Sequence, residues 1–342
     1  MSMHSHRGAP RPTLAIVGSE SLLGKEVREL LDESSLAVNI KLIAAATAAD
    51  TSIIAAIRDE PVVINSIELA DLGSAEIVVL AGEQESSRKA YAQIESAKIA
   101  PMVIDVNGGL EDHPGTRLRA PMAEPPGLDA AAPIQVIAQP AAIAIALFLA
   151  HLRKAGVIRR SVLEIFEPAS ERGHAGIDEL QKQTVALLSF KPLPKEIYDV
   201  QVAFNLLPKY GSDSPHKLDD IELKIDRHLA SLLATEAKVP MPSLRVIHAP
   251  VFHGYSISVW VEFEENPGMD AIVDSLTSND IDVRVDDHEP PSNVGVAGQR
   301  GITVGAIAPD RNHPRAFWFS IVSDNLRIVA ENVVEVVRES LK

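Results

Sequence analysis

Leu14-Ala-Ile-Val17, Lys41–Ala46, Val62–Ile64, Ile77–Leu80 and Met102–Asp105 are short, nearly continuous apolar runs. That is the pattern of strands buried on both faces of a parallel sheet. Between them, Lys25–Leu31 and Ser87–Lys98 repeat apolar positions at helical spacing, so the first part of the chain predicts alternating strands and helices. The alternation runs to Val136–Ala138, the end of a buried strand, and Pro121–Pro133 reads as a loop over the sheet edge. Gln139-Pro140 then breaks the strand, and Ala141–Ala150 is apolar almost without interruption, which predicts a helix buried on most sides. Beyond it the pattern changes. Ser161–Phe166, Val200–Leu206, Leu244–Ala249 and Ser256–Phe263 read as longer strands, the last one alternating, around helices over Gly176–Leu188 and Leu218–Leu233. A last helix, Asn325–Leu341, follows Asp324, a good N-cap.

The pattern predicts an α/β protein: a Rossmann-type, doubly wound domain over residues 13–138, then an α+β domain with a mixed sheet over 139–322. Residues 323–342 are expected to pack back on the first domain, and 1–12 to form a loose polar tail. A length of 342 residues suits two domains, each able to bury a core. A formal net charge of −15 argues against a nucleic-acid or anionic-membrane surface. No apolar run has the length of a transmembrane helix, and the amino terminus lacks a signal peptide's apolar core. Zero cysteines exclude a disulfide framework, a thiolate zinc site and a thiol nucleophile, and make the cytosol the expected compartment. His4 and His6 read as part of the tail, and no metal is expected.

Two stretches carry candidate chemistry. Gly18-Ser-Glu-Ser21-Leu22-Leu23-Gly24 lies between a strand and a helix, the setting of a dinucleotide-binding turn. Only the outer two of the usual three glycines are present. Ser21 stands where the middle one lets a pyrophosphate approach the backbone. Ala46–Asp50 offers no Arg or Lys for a 2′-phosphate; Asp50 could hold a ribose hydroxyl or be an ordinary solvated loop aspartate. The expectation is weak binding of NAD or NADP, with NAD equal or better, against the plainer reading of a turn that kept its fold but not its ligand. The second stretch is the turn into the buried helix. Unpaired N–H groups and the dipole at a helix N-terminus would stabilise a thiolate or an oxyanion. The residues offered there, Ala141 and Ala142, have no chemistry.

Several separated segments together resemble the aspartate-semialdehyde dehydrogenase family, and within it cysteine-less Usg-type paralogues. They are Ala15–Gly18 with Gly24, Val103–Asp105, Phe166–Ser170 with Gly173, Gly176–Thr184, Ala203–Pro208, Glu222-Leu-Lys224, Pro250–Gly254 and Asp324–Arg327. The resemblance implies an NADP-binding domain, a domain that dimerises, and reductive dephosphorylation of β-aspartyl phosphate through a cysteine thioacyl intermediate. It also adds Asn325 to the cofactor-binding set of Gly18, Ser21, Leu22, Leu23 and Gly24. The family's Asn-Pro-Asn-Cys turn falls on Gln139-Pro140-Ala141-Ala142, so Ala142 takes the nucleophile's place. Its acid/base histidine falls on Tyr255, its carboxylate-binding arginine on His248, its active-site glutamine on Glu167 and its phosphate-binding arginine on Glu111. Glu222 and Lys224 are retained on a helix implied to line the substrate site; they read equally well as a charge pair on a solvated face. His253, two residues before Tyr255, could face the same side on a strand. The expected protein is a homodimer with a catalytically silent site and a structural, regulatory or nucleotide-binding role. An NAD(P)-dependent oxidoreductase without covalent catalysis is the alternative.

Overall fold

The structure, a computed structural model, describes residues 11–45, 53–57, 60–66, 72–125, 127–128, 131–234, 239–285 and 289–342. Asp50, His4 and His6 lie outside them. The chain forms two compact units, Met1–Arg117 with Ala131–Val136 and Val337–Lys342, and Leu118–Ala130 with Ile137–Val336.

The first sheet comprises β1 (Thr13–Val17), β2 (Asn39–Ala44), β3 (Ile53–Ile57), β4 (Glu60–Ser66), β5 (Ile77–Leu80), β6 (Met102–Asp105), β7 (Thr116–Arg119) and β8 (Ile134–Ile137). Their order is β3-β4-β2-β1-β5-β6-β8-β7. The pairs from β4 through β8 are parallel, and β3–β4 is an antiparallel hairpin at one edge. Burial on both faces accounts for the apolar runs: Leu14–Val17 and Ile77–Leu80 are at most 3% exposed. Helix α1 (Leu22–Glu33) starts where Ser21 caps it, and α2 (Gln84–Ser96) follows β5. Ala15, Val17, Ile43, Val78, Leu80 and Val103 form the centre of this unit's core with Ala90 and Ile94 of α2.

Helix α3 (Pro140–Leu152) leads into the second sheet: β9 (Ile158–Glu167), β10 (Ser243–His248), β11 (Tyr255–Phe263), β12 (Ile281–Val283), β13 (Ile302–Pro309) and β14 (Ala316–Ser323). The order is β10-β9-β11-β14-β13-β12, parallel at both ends and antiparallel between, so the sheet is mixed. Ala141–Leu149 of α3 are all buried, and Phe148 meets Phe319 of β14 edge-on at 5.1 Å. Helices α4 (Gly173–Leu188), α5 (Leu218–Leu233), α6 (Met269–Leu276) and α7 (Asn325–Ser340) complete the set. A Rossmann-type sheet followed by an α+β unit with a mixed sheet is the architecture expected from the pattern. One predicted strand is absent. Residues 200–206 form turns, because the backbone bends left-handed at Asp199 and Phe204. The Gln183 side chain takes the hydrogen bonds a ladder would have made, accepting from Val202 and Ala203 N–H and donating to Val200 O.

No helix among the described residues is long and apolar enough to cross a membrane. None of their His, Asp and Glu side chains cluster in threes to hold a metal ion.

Candidate active-site region

Proline at the first position of α3 needs no N–H partner, and the turn before it ends β8 sharply. The residue that decides what this helix N-terminus can do is Gln139. Its side-chain Oε1 folds back and accepts from Ala141 N–H at 2.7 Å and Ala142 N–H at 3.1 Å. The amides expected to be open are therefore capped from within. Sequence pattern missed this because glutamine is not a favoured capping residue. The backbone N–H of Gln139 donates to Nδ1 of buried His228 on α5 at 2.9 Å, and its Nε2 donates to the Tyr255 hydroxyl at 2.7 Å. Ala142 has no exposed surface.

Tyr255 passes the chain of bonds onward. Its hydroxyl meets the Glu171 carboxyl, which also accepts from Asn325 Nδ2 at 2.7 Å. Burial, then the Glu171 charge, holds the Tyr255 phenol well above its ordinary pKa, so it stays protonated. Burial and the neighbouring charge of Glu167 push the Glu171 carboxyl up to about 7. Asn325, the first residue of α7, is 1% exposed and accepts from Gly254 N–H at 2.9 Å and Ser170 Oγ at 3.2 Å. One hydrogen-bonded chain, Gln139–Tyr255–Glu171–Asn325, thus joins the N-terminus of α3 to that of α7.

Arg172, beside Glu171 in the 3-10 turn Ala169–Arg172, heads a second group. Its guanidinium pairs with Oε1 of fully buried Glu167 at 2.5 Å, and the Tyr210 hydroxyl donates to Glu167 Oε2 at 2.9 Å. Burial raises the Glu167 carboxyl, and Arg172 and Tyr210 pull against that rise. Burial works against the Arg172 charge, but Glu167, Tyr210, Glu171 and Tyr255 together outweigh it and hold the guanidinium firmly protonated. Tyr210 has one hydroxyl hydrogen, given to Glu167, so His248 Nδ1, 3.1 Å from that oxygen, must be the donor of their contact. His248 Nε2 is then a bare acceptor, buried without a partner. Burial and the Arg172 charge lower the imidazole to about 3, so His248 is neutral. Where the resemblance places a permanently charged arginine there is no charge.

Ala142, Tyr255, Glu167 and His248 are all buried in the second unit. His253 is exposed while Tyr255 is buried, so the two do not share a site. Glu222 accepts from Val246 N–H at 3.0 Å and lies 3.5 Å from Arg245; Lys224 is half-buried on the same helix. Glu111 belongs to the first unit, half-buried in a loop ordered by Asp105, which accepts from Leu110 N–H at 2.7 Å. Glu171, Arg172, Tyr210 and His228 went unread, and Gln139 was read only as part of the turn, not as a cap. Two adjacent charges in the otherwise small-residue loop 168–173 were the available signal.

The Gly-rich turn of the first unit was read for its glycines, and these answer to packing. A Cβ on Gly18 would come within 2.3 Å of Gly82 N, and one on Gly24 within 2.2 Å of Gly18 O. Ser21 Oγ accepts from Gly24 N–H at 2.9 Å and donates to Ala81 O at 2.8 Å, so its hydroxyl is committed to the fold. Leu22 and Leu23 open α1. The two glycines present are those that packing requires, and Ser21 stands at the position between them.

A dinucleotide-type turn in one unit, and a sharp turn into a buried helix N-terminus in the other, define a dehydrogenase-like fold. Residues 149–328 match the family described as semialdehyde dehydrogenase, dimerisation domain, and the chain belongs to that family. It is 28% identical to an aspartate-semialdehyde dehydrogenase of Rickettsia bellii over 335 residues, 96% of this chain and 97% of that one. It is 29% identical to a USG-1 protein homolog of Pseudomonas aeruginosa, over 92% of this chain and 93% of the relative. A solved structure described as a probable aspartate-semialdehyde dehydrogenase from Pseudomonas aeruginosa aligns with a TM-score of 0.85 at 26% identity, covering 97% of this chain and 99% of that one. The family and fold drawn from the motifs are borne out.

Proposed function

We propose that this chain is a catalytically silent member of its family, with a structural or regulatory role and a weak dinucleotide site. The observation that carries the reading is the side chain of Gln139 on the Ala141 and Ala142 amides, beside a position with no nucleophile. A family enzyme needs that helix terminus and a thiol for covalent catalysis. Here the terminus is capped, Tyr255 is held as a neutral phenol between Gln139 and Glu171, and His248 is uncharged. Glu167 and Glu171 further disfavour a doubly charged acyl phosphate. Incubated with aspartate semialdehyde, phosphate and NADP or NAD, the protein should form no reduced nicotinamide above a protein-free control. Saturable, protein-dependent reduction would overturn the reading.

The same reading makes the chain a cytosolic homodimer that joins through its second unit, with no metal, nucleic acid or membrane partner. Trp260 is covered by its own chain: Nε1 donates to Asp310, Arg160 stacks at 5.4 Å and His313 meets it edge-on. The support for an interface is instead Val162 and Trp318, in register with Trp260 across three strands and 46% and 45% exposed. As for cofactor, the Gly18–Gly24 turn fits a dinucleotide at its ribose end better than at its pyrophosphate passage.

A further inference from the structure

Ala45 directly follows β2, and in doubly wound folds the carboxyl end of that strand lies beside the adenosine ribose of a bound dinucleotide. The acidic residue that meets the ribose there commonly follows that strand in sequence. In this chain a carboxylate reaches the strand end from the Gly-rich turn instead. Glu20 Oε1 accepts from Ala45 N–H at 2.8 Å. The turn that carries it is pinned to the same strand, with Gly18 and Ser19 N–H donating to Ile43 O at 2.8 and 3.1 Å and Ser19 Oγ at 3.3 Å from that oxygen. Glu20 Oε2 is withdrawn from water and has no partner, although the residue as a whole is half-buried. An acceptor in that state is unfavourable until a donor meets it.

The geometry points to Glu20 as the residue that receives the adenosine ribose, selecting NAD over NADP. The assignment rests on the proposed dinucleotide role and adds its specificity. A ribose diol presents two hydroxyl donors to a carboxylate that can only accept. A 2′-phosphate would instead set like charges together, and the turn 18–24 contains no Lys or Arg to separate them.

The test is calorimetric titration of the full chain with NAD and with NADP, for the wild type and for Glu20→Gln. Glutamine keeps an oxygen for Ala45 N–H and replaces the second acceptor by a donor. The wild type should bind NAD roughly ten- to a hundredfold tighter than NADP, the worth of a charge-assisted hydrogen bond gained or lost. Glu20→Gln, checked by an unchanged melting temperature, should weaken NAD and bring the two affinities level or reverse them. Equal wild-type affinities, an NADP preference, or a ratio unmoved by Glu20→Gln would overturn the assignment and leave dinucleotide binding standing. If neither nucleotide binds either protein at millimolar concentration, the dinucleotide reading falls and the assignment with it. The wild-type ratio is decisive even if the variant fails to fold.

Discussion

Restoring the missing thiol tests how far the α3 N-terminus has been closed. Ala142→Cys adds one sulfur to a side chain with 0% exposed surface, so a packing cost of about 1–3 kcal/mol is expected. A helix dipole is worth about 0.3–1 kcal/mol to an anion at its N-terminus. Here the amides of Ala141 and Ala142 already serve Gln139 Oε1, whose own partial negative charge offsets that field. Apolar burial acts in the opposite sense to the dipole and raises a thiol. The sulfur should therefore titrate at or above the ~8.5 of free cysteine, leaving at most about 3% thiolate at pH 7. Alkylation by iodoacetamide, followed by mass spectrometry across pH, should be at least about tenfold slower than for free cysteine once exclusion of the reagent is added. Adding Gln139→Ala uncovers the two amides and should shift the alkylation profile to lower pH. No phosphorylating dehydrogenase turnover should accompany either variant. A single variant that alkylates faster than free cysteine, with an apparent pKa below about 7, would refute the capped-terminus argument.

Arg172→Met leaves Glu167 buried without its cation and should destabilise the protein by about 3–5 kcal/mol in denaturant melts, with Arg172→Met/Glu167→Gln recovering most of it; an unchanged midpoint for the single variant would contradict the pairing. Glu171 has a folded-state pKa raised from 4.5 to about 7, so the fold favours its protonated form, and its contribution to stability is greatest below pH 4.5 and declines as pH rises to about 7. Glu171→Gln should gain on the wild type by up to about 3 kcal/mol across that window, while a flat difference curve would refute it. His248, lowered to about 3, has the opposite sign: its burial weakens the fold as pH falls from 6.5 towards 3, and His248→Gln should ease that acid loss. Sedimentation at micromolar concentration should give a dimer that Trp318→Glu weakens; a 36.8 kDa species for the wild type would count against the interface.

Elements whose burial follows from local pattern were legible in the sequence. Leu14–Val17, Ile77–Leu80 and the apolar run Ala141–Leu149 of α3 announce themselves because both faces of each are covered. Helix α5 was read to its observed limits, Leu218–Leu233, from its apolar period alone. Residues 200–206 look like a strand by composition, yet their amides are met by one glutamine 17–20 positions away, which no local pattern encodes. Strands β13 and β14, which pair with each other, went unread because Thr303, Gly305 and Ser320 interrupt their apolar runs and their register shifts between Gly305 and Ala308. In the candidate site the lost nucleophile was legible as a letter. The closure of the site was not, because it depends on Gln139 reaching both back to its own helix and across 116 positions to Tyr255. The Glu20 carboxylate was likewise hidden, since its partner amide lies 25 residues on.

The central claim is that no hydride moves at this site. It is tested most directly by incubating the purified protein with a metabolite extract and nicotinamide cofactors deuterated at C4 in the reduced form. Deuterium in each carbonyl-derived product is then measured against a protein-free control. The account predicts no protein-dependent label in any metabolite with either NADH or NADPH. A product that gains deuterium in proportion to protein, and stops doing so when Tyr255→Phe is used instead, would establish an oxidoreductase acting without covalent catalysis and contradict the silent site.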